Sequence, residues 1–243
     1  MLKVDFHTHT ADDPHDRLIP YTTRELIDRA ATLGYDALAI TLHDSQLDVR
    51  PHAGYARERG VVLIPGMERT VEGRHVLLLN FDRGAEDVQT FDDLRRLKER
   101  SAGLVIAPHP FFPGPSLFGK LTEHADLFDA VEYNAMFTSS LNLNRFAQQW
   151  ARRHGKPMVG NGDVHLFEQL GSTYSLVDAE PDPSAICAAV VAGRVTPVTN
   201  PLSWATAIRV MSSLVKDMVV ADRRLPELPS MGQPCRSRLQ RSL

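Results

Sequence analysis

The feature that most restricts how this chain can fold is a series of short apolar runs, bounded by turn residues and followed by residues able to bind a metal or carry a proton. Runs at residues 2–6, 37–41, 61–65, 104–107, 130–133 and 157–160 have the length and the Val/Ile/Leu/Ala content of buried parallel strands. Amphipathic helical patterns separate them: residues 23–32, opened by the capping-box pair Thr22 and Glu25 and stopped by Gly34, then 91–100 and 141–154. Strands alternating with helices of this length imply right-handed βαβ units. An open sheet would gather its polar residues at one crevice, whereas here they stand at the C-terminal ends of nearly every strand, which favours a barrel. Further strands at 174–177 and 195–198 and helices at 183–192 and 203–220 follow Gly171.

A chain of 243 residues with 43% hydrophobic content can fill one such core. We expect a single domain over residues 1–221. Residues 222–243, rich in Pro, Ser and Arg and without a period, read as a flexible tail. Lys and Arg total 27 against 30 acidic residues, so no broad basic field is available for extended nucleic acid, and small substrates are favoured. Cys187 and Cys235 are far apart and lack partners at metal or redox spacing. No apolar run has signal-peptide or membrane-spanning length, so a soluble, cytoplasmic protein without membrane association is expected; the oligomeric state is left open.

His7 and His9 stand two apart at the end of the first run, where the two-residue period of a strand points both imidazoles to one face. Asp163 and His165 repeat that spacing in GNGDVH. Between these pairs lie His15, His43 in ITLHD, Glu68 in PGME, His75 in GRHVLLL and His109 in APHP. Imidazole with carboxylate and no thiolate suits zinc, manganese or iron(II), and a carboxylate such as Glu68 can bridge two ions. His75 is a less regular candidate because it begins a strand, and His15 because it lies in a loop. His52, His124 and His154 fall in or beside helices and read as background.

Taken in order, HTHT, ITLH, PGME, APHP and GDVH resemble the polymerase and histidinol phosphatase (PHP) family of metal-dependent phosphoesterases, over roughly residues 3 to 200. The stretch from GSTYSLVDAE to GRVTP resembles the PHP-associated segment that closes such domains. The resemblance implies an α/β fold, a distorted (β/α)7 TIM-like barrel with two or three divalent metal ions on its C-terminal face. It implies that His7, His9, Glu68 and Asp163 hold the first ion and that Glu68 bridges to a second held by His109. His15, His43 and His165 match a third-metal set, and His75 a histidine serving the second metal in some members. Two departures stand out: Leu42 replaces the aspartate often found before the ITLH histidine, and no histidine stands some residues after Glu132-Tyr133-Asn134, where Ser139-Ser140 lie. The second ion would then be held weakly, or be completed by His75 and water.

The expected reaction is hydrolysis of a phosphate ester by a metal-activated water, with a small phosphomonoester or nucleotide favoured. No Gly-rich phosphate loop, nucleophile elbow or plausible cysteine nucleophile competes. Asp163, Glu68 and His165 are the candidate catalytic groups, and Arg17, Arg69 and Lys120 the candidate phosphate contacts. Two alternatives remain: a metal-dependent C–N hydrolase, disfavoured because no lysine sits at a strand end to bridge metals, and a non-catalytic PHP scaffold, disfavoured by the near-complete ligand set.

Overall fold

The computed structural model describes residues 1–16, 18–81 and 84–222. The expectations for Arg17, for Cys235 and for the tail beyond residue 222 lie outside the described residues. In chain order the elements are β1 (Leu2–Thr8), α1 (Thr23–Thr32), β2 (Ala37–Ile40), α2 (Arg50–Glu58), β3 (Val62–Val71), β4 (Arg74–Leu79), α3 (Phe91–Arg100), β5 (Leu104–Ala107), α4 (Lys120–Glu123), β6 (Ala130–Asn134), α5 (Asn144–His154), β7 (Met158–Asn161), β8 (Thr173–Val177), α6 (Pro183–Val191), β9 (Val195–Thr199) and α7 (Trp204–Asp222). Local chemistry sets the helix starts. Thr22 accepts from the Glu25 backbone while the Glu25 carboxylate accepts from the Thr22 N–H, and Thr90 with Asp93 repeats this box at α3.

The nine strands form one barrel-like sheet, ordered β7-β6-β5-β4-β3-β2-β1-β8-β9, that nearly closes. β1, β2 and β3 run parallel, as do β5, β6 and β7, but β4 is antiparallel to both its neighbours. The regular seven-fold strand–helix alternation implied by the family resemblance is therefore interrupted. The cause is local: Glu72 and Gly73 both adopt positive φ, +48° and +74°, and make a two-residue hairpin in place of a crossover helix. A second departure is the antiparallel pair β8 and β9, which attaches to β1.

Closure takes a different form at each end. Beyond β7 the chain reaches β1 directly, with Thr8 paired to Val164 and the His9 N–H donating to the Val164 carbonyl at 3.1 Å. Lower down, β8 lies against β7, and the Gly160 N–H donates to the Ser175 hydroxyl at 3.0 Å. Only glycine fits at 160, because a Cβ there would stand 2.5 Å from the Tyr174 carbonyl oxygen.

Strand alternation sorts the core into layers. Val4, Phe6, Ala37, Ala39, Ile64, Leu77, Leu79, Leu104, Ile106, Ala130 and Val159 form an inner cluster, joined by Ile186, Ala189 and Val190 of α6. Leu38, Ile40 and Leu63 pack outward on α1 and α2; Met67, Leu78, Val105 and Val131 pack on α3 and α5. Among the described residues, no helix is long and apolar enough to cross a membrane.

One irregularity aims the site. Asp5 pairs with Leu38 and Thr8 with Ile40, so β1 spends one more residue than β2 over this interval. Such a bulge breaks the alternation and turns His7 and His9 toward the side already occupied by Phe6.

Candidate metal centre

β1, β2, β5, β6 and β7 finish at the same end of the barrel, and the loops that follow them carry His9, His43, His109 and Asp163. His75 belongs with them because β4 runs the other way: its first residues lie where its neighbours end. His109 and Asp163 have φ of +27° and +48°, conformations a non-glycine residue keeps only when its surroundings hold it. For Asp163 the restraint is visible in Gly162, whose N–H donates to the buried Asp5 carboxylate at 3.0 and 3.1 Å. Burial pushes the Asp5 pKa up to about 7, against these N–H donors.

Glu68 is central and almost fully buried. Its Oε1 lies 2.7 Å from His75 Nδ1 and 3.0 Å from His109 Nε2. Its Oε2 lies 3.1 Å from His7 Nε2, 3.4 Å from His9 Nε2 and 3.1 Å from His43 Nε2. Asp163 Oδ1 is 3.3 Å from His7 Nε2 and 3.6 Å from His9 Nε2.

Whether these residues suit a cation is decided by their hydrogens. His7 Nδ1 lies 2.9 Å from Glu132 Oε1 and His9 Nδ1 3.0 Å from Asp13 Oδ2, so in each neutral ring the proton belongs on Nδ1 as donor. The Nε2 lone pairs then face Glu68 and Asp163, lone pair against carboxylate. His9 Nε2 is moreover buried without a hydrogen-bond partner. His165 repeats the pattern, with Nδ1 donating to the Asp163 carbonyl at 3.0 Å and Nε2 facing Asp16 Oδ2 at 2.8 Å. Positive ions bound between these atoms would satisfy them, and imidazole with carboxylate is a donor set for zinc, manganese or iron(II).

The electrostatics agree. Burial opposes the charged form of His7, yet Asp163, Glu68 and Glu132 outweigh it and hold its pKa well above the ordinary value. Burial likewise opposes ionisation of Glu68, but His75, His7 and His43 keep its pKa well below the carboxylate range. His43 is raised to about 10, burial notwithstanding, with Glu68 the largest favourable influence. These carboxylates draw positive charge into a buried space.

His7, His9, His43, Glu68, His75, His109, Asp163 and His165 all fall in groups of side chains whose ligand atoms lie within 4.8 Å of one another. His15 does not: its side chain is exposed, and the same loop contributes Asp13 and Asp16 instead. Asp13 Oδ2 lies 3.0 Å from the Nδ1 atoms of both His9 and His43. The loop gives the reason, since the Asp13 carboxylate caps the N–H groups of His15 and Asp16 and turns Asp16 inward. Glu132, also absent from the expected set, is fully buried and accepts from His7, from the His109 N–H at 2.6 Å, and from Asn134 and Asn161. A buried glutamate inside an otherwise apolar strand was the available signal for it.

Of the expected phosphate contacts, Arg69 and Lys120 are engaged elsewhere. Arg69 donates to Asp44 and to the Val88 carbonyl, and Lys120 pairs with Glu123.

Residues 142–195 match the family model described as PHP-associated. The match is to a PHP-associated segment and covers about a fifth of the chain, from the start of α5 to β9. The chain is also similar to solved structures. PsfC from Pseudomonas syringae PB-5123 aligns with TM-score 0.60 and 17% identity over 90% of this chain and 98% of that one. A candidate metal-dependent phosphoesterase from Bifidobacterium adolescentis ATCC 15703 aligns with TM-score 0.52 and 15% identity, over 67% and 87%. An amidohydrolase from Chromobacterium violaceum, holding sulfate and no metal, aligns with TM-score 0.50 and 18% identity, over 67% and 87%. At these identities the likeness is one of fold. No curated protein matches the chain.

Proposed function

We propose that this chain is a metal-dependent hydrolase of phosphate esters, acting on small phosphomonoesters or nucleotides. The observation that carries the reading is Glu68, whose two carboxylate oxygens each face a different set of imidazoles, as a carboxylate shared by two ions does. His7, His9, Glu68 and Asp163 would hold one ion, and Glu68 with His75 and His109 a second. His43 and His165, beside Asp13 and Asp16, would hold a third. Bound ions would supply Lewis acidity toward the phosphoryl group and toward water.

The protein's own residues have separable tasks. Glu132 orients His7 and braces the backbone of His109, fixing ligands from β1 and β5 with one carboxylate. Glu68, His7 and His9 are sealed from solvent, whereas His43, His75, His109 and Asp163 each keep about a seventh of their side chain exposed and line the open side. Asp163, whose Oδ2 accepts from Asn134 at 3.0 Å, and His165 are the groups near that opening that would take a proton from the attacking water and hand it to the departing alkoxide. The C–N hydrolase reading has less support, because Lys3, Lys98 and Lys120 donate to the Leu33 carbonyl, Asp129 and Glu123 and not to the ligand cluster.

Metal content by mass spectrometry, followed by assay on phosphorylated metabolites, tests the proposal. Two or three transition-metal ions per chain and phosphate release that both His7→Ala and Asp163→Ala abolish are expected, with His154→Ala close to wild type. His154 stacks on Trp150 at the end of α5. Trace metal that does not increase on adding manganese or zinc would overturn the reading.

A further inference from the structure

Three phenylalanines form a patch on the same end of the barrel as the ligand cluster. Phe111 follows His109 by two residues, so its Cα is within about 8 Å of the histidine's. The loop it begins returns to the site, where the His75 N–H donates to the Pro115 carbonyl at 2.8 Å and Arg74 donates to the Ser116 carbonyl at 2.9 Å. Phe118 leaves that second anchor, and Phe146 belongs to the first turn of α5, which starts beside the end of β6 through paired hydrogen bonds between Asn144 and Asn134. Phe111 packs on the core and supports the other two rings, 6.3 Å from Phe118 and 6.1 Å from Phe146 between centroids.

Phe118 and Phe146 are 68% and 55% exposed. Large aromatic side chains left open at a rim, on a loop tied at both ends to ligand-bearing strands, have faces available to a flat ring. Arg69 and Lys120 point to other partners, and these rings supply apolar surface beside the site. Resting on the phosphoesterase reading, we propose that Phe111, Phe118 and Phe146 form a subsite for the planar aromatic part of the leaving alcohol, an aryl ring or the base of a nucleoside, on the esterified side of the phosphate.

The test compares esters that share a phosphate and differ in the group attached, using metal-loaded, full-length protein. Phe118→Ala and Phe146→Ala remove exposed side chains and leave the packed Phe111 alone. For phenyl phosphate and nucleoside 5′-monophosphates, each should lower kcat/KM about tenfold through KM, the scale of one lost stacking contact. Glycerol phosphate turnover and metal content should not change, and Phe118→Tyr should restore the aromatic preference. A response to phenyl phosphate alone assigns the subsite to aryl esters; a response to nucleotides assigns it to the base. Equal effects on aromatic and aliphatic esters would overturn the proposal. Should no ester be hydrolysed, binding still decides: phenylphosphonate should bind about tenfold tighter than methylphosphonate, and Phe118→Ala should erase the difference. Equal binding of the two phosphonates by the wild-type protein would refute the subsite independently of catalysis.

Discussion

Asp16 and His15 are adjacent in sequence and opposite in situation. Asp16 Oδ2 reaches 2.8 Å from His165 Nε2, while the His15 side chain is exposed. Asp16→Asn removes charge from a space that gathers cations, and should release one ion or weaken its retention at least tenfold, whereas His15→Ala should keep the wild-type metal complement. Metal counts after dialysis against a graded chelator check this, and the reverse order would return His15 to the ligand set. Glu132 gives a second prediction. Glu132→Gln keeps the volume but loses acceptor capacity toward His7, the His109 N–H, Asn134 and Asn161, and should lower metal affinity by about 10- to 100-fold without loss of fold. Metal titration alongside circular dichroism separates the two effects. His7, His9, Glu68 and Asp163 were legible because spacing and motif order mark them; Asp16 and Glu132 were not, since a loop turn and a strand register bring them in.

Among the elements, β7 is held close to β8. Gly160 sits where any Cβ would meet the backbone of Tyr174, so Gly160→Ala must push β7 away from β8. The cost is about 1–3 kcal/mol, as for other overpacked core positions, and chemical denaturation measures it. Because Asp163 lies three residues on, the same variant should also bind metal less tightly; wild-type stability together with wild-type affinity would show that the strand tolerates the shift. β4 carries the lesson about legibility at this scale. Its apolar run was readable, but its direction depends on the Glu72–Gly73 hairpin, and direction decides that His75 stands at the metal end.

For the whole molecule, the ligands come from β1, β3, β4 and from the loops after β1, β2, β5 and β7, so a bound ion ties together segments distant in the chain. An ion bound only by the folded state stabilises it by about 2.7 kcal/mol at a hundredfold excess over Kd. Stripping metal should therefore lower Tm by about 5–10 °C, and adding zinc or manganese should restore it. A melting curve indifferent to chelator would mean that the cluster is held by its own hydrogen bonds.

The sequence by itself determined the strand–helix alternation, the helix starts at Thr22 and Thr90, and the His/carboxylate pairs, because periodicity, capping and i,i+2 spacing are local properties. Only the tertiary structure decided that the sheet would nearly close through Val164, that β4 would reverse, and that Asp13, Asp16 and Glu132 would join the cluster. It also decided that Arg69 and Lys120 would turn to Asp44 and Glu123. Those outcomes depend on which backbone groups and charges lie nearest in space, and a bulge of one residue in β1 or a two-residue turn after β3 changes that without any signature in hydrophobic period.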